Sequence, residues 1–177
     1  GATGEAAIGP ALRHAIGGAL AAAAGSLAIF APNANSFRRF RPGCFAPIAP
    51  DWGPNNRQVA IRIPPADAAN QRLEHRIAGA DCNPYLAVAA ILAGVHAGLT
   101  RRTEPPPMVP EGRSPPPSAA LCPRWEEAID RFAAGTLLPD YLGAGFCALY
   151  AAARRAEADA YRAEVPDLDY AWYLPTI

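Results

Sequence analysis

Lysine is absent from the 177 residues; all 16 basic side chains are arginine. They balance 16 acidic residues, so the formal net charge is zero. That balance argues against a general binder of nucleic acid or of a membrane surface, which usually carries a positive excess. An all-arginine inventory in an Ala- and Pro-rich chain reflects coding bias in a GC-rich genome. Only arginines in a specific arrangement therefore carry information. Cysteine is scarce and unpatterned: Cys44, Cys82, Cys122 and Cys147 show no CxxC or other metal-ligand spacing. They read as reduced thiols of a cytoplasmic protein. The first residues lack the basic region that precedes the apolar core of a signal peptide. The apolar run 15–31 is Ala/Gly-rich and short for a membrane span, so a buried helix is the better reading. No internal repeat is visible.

The elements follow from periodicity and punctuation. Residues 8–30 predict a buried, Ala-rich helix with one early Arg-His pair, and a Pro/Gly-punctuated loop follows. Residues 56–64, NRQVAIRIP, place Val59, Ile61 and Ile63 at alternate positions and predict a strand. Residues 72–77 predict a second. Asn83 reads as an N-cap with Pro84 at the first helical position of a helix to about Leu99. That helix is apolar nearly all round, which predicts full burial. Residues 101–123 read as a long exposed connection, 124–134 as an amphipathic helix and 140–165 as a longer one. Tyr170, Trp172 and Tyr173 are expected to dock the tail. Two strands cannot enclose a sheet core alone, so the chain reads as part of a larger domain.

The informative arginines are Arg39, Arg57, Arg62, Arg72 and Arg76, with Glu74 among them. On a strand, Arg72, Glu74 and Arg76 share one face and Leu73, His75 and Ile77 the other. A guanidinium offers a planar fork that matches phosphate and carboxylate oxygens. Converging arginines around one carboxylate suit a polyanionic substrate with a cation held by oxygen ligands. From spacing alone, solvated charges in weak surface ion pairs are the commoner arrangement.

Three blocks alter that balance. NSFRRFRPGCFAP (35–47), WGPNNRQVAIRIP (52–64) and RLEHRIAGADCNPYLAVAAILAG (72–94) resemble, in order and spacing, the C-terminal catalytic region of the glutamine synthetase family. The likeness is best to its γ-glutamyl-amine ligase branch, which includes γ-glutamylputrescine synthetases. The resemblance implies an α+β fold, the C-terminal part of a catalytic domain built from a barrel-like antiparallel sheet plus helices. It implies joining of the glutamate γ-carboxyl to an amine through γ-glutamyl phosphate, with ATP and Mg2+ or Mn2+, in a ring-shaped homo-oligomer. By the same resemblance Arg39 and Arg76 hold glutamate or its phosphorylated carboxyl. Arg57, Arg62 and Arg72 face ATP phosphates, with Arg57 at the transferring group, and Glu74 binds metal. Phosphoryl transfer is mostly positioning and charge neutralisation, which suits these residue types.

Two departures qualify the likeness. Ammonia-using members carry a glutamate two residues after the flap Pro-Gly pair; here the pair is Pro42-Gly43 and the position is Phe45. A phenyl ring cannot act as a base, though it offers a π face or apolar contact to an organic amine or polyamine. The packed-anchor role of a loop aromatic stays open. The family's remaining metal ligands, its metal-binding histidine and its N-terminal β domain have no counterpart in these residues. His14 and His75 do not sit in that histidine's motif; His75 faces away from the charges, and His96, within the buried helix, reads as structural. Taken alone, the chain is expected to be inactive. An ammonia-using enzyme with a variant flap and a non-catalytic remnant of the family are the alternative readings.

Overall fold

The computed structural model describes residues 8–41, 43–67, 69–114, 121 and 124–176. Helix α1 (Pro10–Phe30) begins with Pro at its first position, where a missing N–H costs nothing. It passes the length and composition test for a membrane span, but 67% of its most apolar window is buried inside the protein. It is thus the central core helix, as composition implied. Its Arg13 and His14 are not buried with it; Arg13 Nη2 and His14 Nε2 meet the Glu104 carboxylate at 2.9 and 3.0 Å.

Helix α2 (Pro84–Arg101) opens with Asn83, whose side chain accepts from the N–H groups of Tyr85 and Leu86 at 3.0 and 3.2 Å. It crosses α1 at near backbone contact. A Cβ on Gly18 would lie 2.2 Å from the Gly94 carbonyl oxygen, and one on Gly98 would lie 2.2 Å from that of His14. No side chain fits there. The expectation of an all-round buried α2 fails for a related reason. Its small residues, Ala87, Ala90, Ala93, Gly94, Ala97 and Gly98, face inward. Its large ones face out, with Tyr85 84% and Leu92 59% exposed. Apolarity on every side did not tell which side lies against α1.

Three short strands form one sheet in the order β1-β2-β3: β1 (Trp52–Pro54), β2 (Ile61–Ile63) and β3 (Glu74–His75). The first was not expected, because Gly-Pro is poor strand material. It runs parallel to β2, although such pairs usually need a long crossover. The tight return is held by buried Asn56. Its Nδ2 donates to the carbonyls of Pro110 and Arg113 at 2.8 and 2.9 Å, and its Oδ1 accepts from the Gln58 N–H at 2.9 Å. The two predicted strands are real but shorter than 56–64 and 72–77. Near the start of β2 the Asp51 carboxylate takes the Ala60 N–H at 2.9 Å in place of a ladder bond. The register pairs Arg62 with Glu74 and Ile61 with His75. Ile61, Ile77, Trp52 and Phe30 are fully buried, each contributing roughly 1.5–3 kcal/mol.

Three further expectations are corrected. The described part of the 101–123 connection is not simply exposed: Trp52 Nε1 donates to the Pro106 carbonyl at 2.7 Å, and the Val109 N–H to that of Trp52 at 2.8 Å. Val109 and Leu121 are buried; residues 115–120, 122 and 123, with Cys122, lie outside the described residues. The predicted amphipathic helix is α3 (Trp125–Ala133), which buries Trp125, Ala128, Ile129 and Phe132. The helix expected over 140–165 is two, α4 (Leu137–Leu142) and α5 (Ala144–Ala163), because Gly143 takes φ 86° and breaks the run. The tail helix α6 (Asp167–Tyr173) buries no residue, so Tyr170, Trp172 and Tyr173 stay more than half exposed instead of docking the tail into the core as expected.

Two buried titratable groups oppose one another. Burial, with the Arg39 charge nearby, lowers the His75 imidazole from 6.5 to about 4. Burial also raises the Asp51 carboxyl to about 6, against the hydrogen bond from Ala60. Below pH 6.5 the unfolded chain binds the His75 proton first, so this group costs stability as pH falls toward 4. Below pH 6 the folded chain binds the Asp51 proton first, so that group adds stability over the same window. The wild type should therefore change little between pH 7 and 5. Asp51→Asn should uncover a loss of about 2 kcal/mol on acidification, and His75→Phe a gain of about 1 kcal/mol. Denaturant midpoints measured at both pH values check this, and parallel profiles for the two variants would contradict it.

Candidate active site

The cross-strand register builds the charged face. Arg62 on β2 lies opposite Glu74 on β3, and its Nη1 donates to Glu74 Oε2 at 2.9 Å. Arg76 Nη1 donates to Glu74 Oε1 at 2.8 Å. One carboxylate thus bridges two guanidinium groups. Partial burial pushes the Glu74 carboxyl up, but the hydrogen bonds from Arg76 and Arg62 outweigh it and hold it below the usual range. The arginines are anchored at their other ends. Arg62 Nη2 donates to Asn55 Oδ1 at 2.7 Å, and Arg76 Nη2 to the carbonyls of Arg57 and Phe45 at 2.9 and 3.3 Å. The triad is a net positive, rigid surface that presents guanidinium forks.

The remaining predicted residues surround it unequally. The Arg57 side chain is exposed, while its carbonyl serves Arg76. Arg72 is exposed, donates to the Asn70 carbonyl at 3.2 Å and lies before β3, outside the triad. Arg39 is half-buried elsewhere. Its Nη2 donates to the Ile77 and Phe30 carbonyls, and its guanidinium stacks on Phe40 4.2 Å from the ring centroid. Desolvation lowers its pKa, against the attraction of Asp81. Asp81 in turn accepts from Ser36 Oγ at 2.6 Å and Asn33 Nδ2 at 3.2 Å. His75 packs on Phe30 with ring centroids 4.5 Å apart, on the core side of β3 as alternation required. His96 instead bonds the Tyr141 hydroxyl at 2.8 Å.

Phe45 is 71% exposed at φ 51°, a left-handed conformation rare for an aromatic residue. It lines a recess with Arg41 and Ile48 beside the charged face. Sequence reasoning missed Asn55, which sits at φ 47° and orients Arg62. The signal available was the Pro-Asn-Asn turn, since Asn tolerates left-handed backbone.

Glu74 suits a cation site as one oxygen ligand. Among the described residues no group of three or more His, Cys, Asp or Glu could hold a metal ion. A divalent cation takes about six oxygen ligands, and both Glu74 oxygens are already engaged. The described residues therefore fit one arm of a cation site, not a whole one.

The family model for "Glutamine synthetase, catalytic domain" matches residues 1–173. The chain belongs to the glutamine synthetase family. Over 166 residues it is 39% identical to "Gamma-glutamylputrescine synthetase PuuA" of Escherichia coli, covering 93% of this chain and 35% of that protein. Over 156 residues it is 36% identical to "Gamma-glutamylethanolamide synthetase GlnA4" of Streptomyces coelicolor, covering 88% and 34%. A "Glutamine synthetase" of Thermus thermophilus is 32% identical over 171 residues, covering 92% and 38%. Among solved structures, "GmaS/ADP complex-Conformation 1" superposes with a TM-score of 0.85 at 27% identity, over 98% of this chain and 42% of that one. The glutamine synthetase catalytic fold expected from the three blocks is thus present, and the chain spans about a third of the length of the curated relatives it matches.

The geometry at Arg39 generates one expectation. Arg39→Met removes the donors to two backbone carbonyls while keeping the apolar stem. It should destabilise the fold by about 1–3 kcal/mol; an unchanged denaturation midpoint would show that those carbonyls find other partners.

Proposed function

We propose that this chain supplies the arginine–glutamate face of an ATP-dependent γ-glutamyl-amine ligase. The observation that carries the reading is the Arg62–Glu74–Arg76 triad beside a flap position held by Phe45. Arg57, Arg62 and Arg72 neutralise phosphate oxygens of ATP and of the transferring group. In support, Arg57 and Arg72 are exposed and open to such oxygens, and Arg62 is oriented by Asn55 and Glu74. Arg76 and Arg39 bind glutamate. Glu74 gives one oxygen to Mg2+ or Mn2+, whose other ligands come from outside the described residues. When bound, the cation supplies charge neutralisation at phosphate oxygens. The chain's own contribution is to hold the guanidinium groups in place before the substrates arrive, so little reorganisation is needed at the moment of transfer.

Phe45 gives the acceptor its class. With no carboxylate at that position, nothing there can bind ammonium by charge or take its proton. An exposed ring offers apolar contact instead, which favours an organic amine. The relatives named for putrescine and ethanolamide products agree with that direction. We place the activity in the cytoplasm, in a ring-shaped homo-oligomer with glutamate and the amine as substrates.

Steady-state assay of the complete gene product should give higher kcat/KM with at least one organic amine, tried among putrescine, ethanolamine and similar amines, than with ammonium, by at least roughly tenfold. Preference for ammonium would instead support a glutamine synthetase with a variant flap, and absence of any γ-glutamyl product a non-catalytic member. Glu74→Ala should remove most turnover and weaken Mn2+ binding in a direct titration; normal turnover in that variant would sink the metal role.

A further inference from the structure

The recess beside Phe45 contains about 370 Å3, room for a small-molecule group. Phe45 joins it to the charged face, because the Phe45 carbonyl accepts from Arg76 at 3.3 Å. Phe45 and Ile48 form apolar wall, and Gln58 and Ser114 add a polar pair in which Ser114 Oγ donates to Gln58 Oε1 at 2.9 Å. Arg41 is the one charged residue among the described lining residues. Its Nε donates to Cys44 Sγ at 3.1 Å, and no described carboxylate pairs with it.

Resting on the ligase reading above, we propose that this recess holds the tail of the acceptor amine and that Arg41 selects tails without a second positive charge. The acceptor class is then an alkylamine or hydroxyalkylamine rather than a diamine. A distal ammonium entering here would face a like charge and find no carboxylate among the described lining residues. The Arg41 guanidinium is exposed, so water screens the repulsion in part, yet a like charge within the recess still disfavours a distal ammonium there. The single exposed ring of Phe45 is weak compensation, since one open π face attracts a cation only modestly. A methyl or methylene tail meets Phe45 and Ile48 at no such cost. A terminal hydroxyl has Gln58 and Ser114, which can both donate and accept.

The test assays the complete gene product with glutamate, ATP and Mg2+ against ammonium, propylamine, ethanolamine and putrescine. The wild type should show kcat/KM for propylamine and ethanolamine at least roughly tenfold above that for putrescine. Arg41→Glu should raise the putrescine-to-ethanolamine ratio by about tenfold or more, and Arg41→Gln by less. The Arg41 side chain is exposed, and thermal unfolding of both variants checks that the fold is kept. An unchanged ratio in Arg41→Glu overturns the selection by Arg41, whatever the wild-type order. So does a wild-type preference for putrescine, and both results leave the γ-glutamyl-amine ligase reading standing. Preference for ammonium over every organic amine, or no product with any acceptor, overturns that reading itself.

Discussion

The near backbone contact between α1 and α2 is the constraint on which the rest of the chain depends. A Cβ on Gly18 or Gly98 would fall 2.2 Å from a backbone carbonyl oxygen of the facing helix. Two helices at that separation gain dispersion contacts along the crossing and exclude water from it. The position of α1 then decides where its last residue, Phe30, stands. The Phe30 ring packs on His75, its carbonyl accepts from the Gly79 N–H at 2.9 Å, and the same carbonyl receives Arg39. The helix pair therefore locates β3 from behind, and β3 carries Glu74 and precedes Arg76.

On the opposite face the arrangement is electrostatic. Glu74 balances one of the two guanidinium charges that flank it, leaving an excess that favours anions. Its side chain is 38% exposed, so solvent screening keeps the ion pairs from being a major source of stability. Their consequence is geometric: both guanidinium groups are oriented by several acceptors at once, including Asn55 and the carbonyls of Phe45 and Arg57. A site that neutralises phosphate charge gains from such preorganisation, because fixed donors need not be reoriented at the transition state. Phe45 belongs to the same unit through its carbonyl, which ties the loop backbone to Arg76 while the ring stays exposed.

Parts of this were legible in the residues. The alternation of Arg72, Glu74 and Arg76 with Leu73, His75 and Ile77 assigned opposite faces to Glu74 and His75. Asn83-Pro84 marked a helix start that the observed cap reproduces. Other parts were not. Residues 52–54 contain Gly-Pro, so nothing local marks a strand there; its partner β2 makes it one. Residues 140–165 read as one helix because the break rests on Gly143 alone. The apolar α2 could not show which side would face α1, because a backbone crossing selects for small side chains as well as for apolar ones.

By itself the sequence determined the family, through three ordered blocks, and the residue types of the charged face, through strand period. It also showed Phe45 at the position where, by the family resemblance, ammonia-using members carry a glutamate. Only the tertiary structure decided that Arg62 rather than Arg72 pairs with Glu74. It likewise decided that Arg39 is held by backbone carbonyls, and that Arg41 is the one charged residue among the described residues lining the recess beside Phe45. The physical reason is separation along the chain. Strand period and capping act between near neighbours, whereas register, carbonyl capture and pocket lining join residues from different elements. Those contacts exist only once the helix pair has brought the elements together.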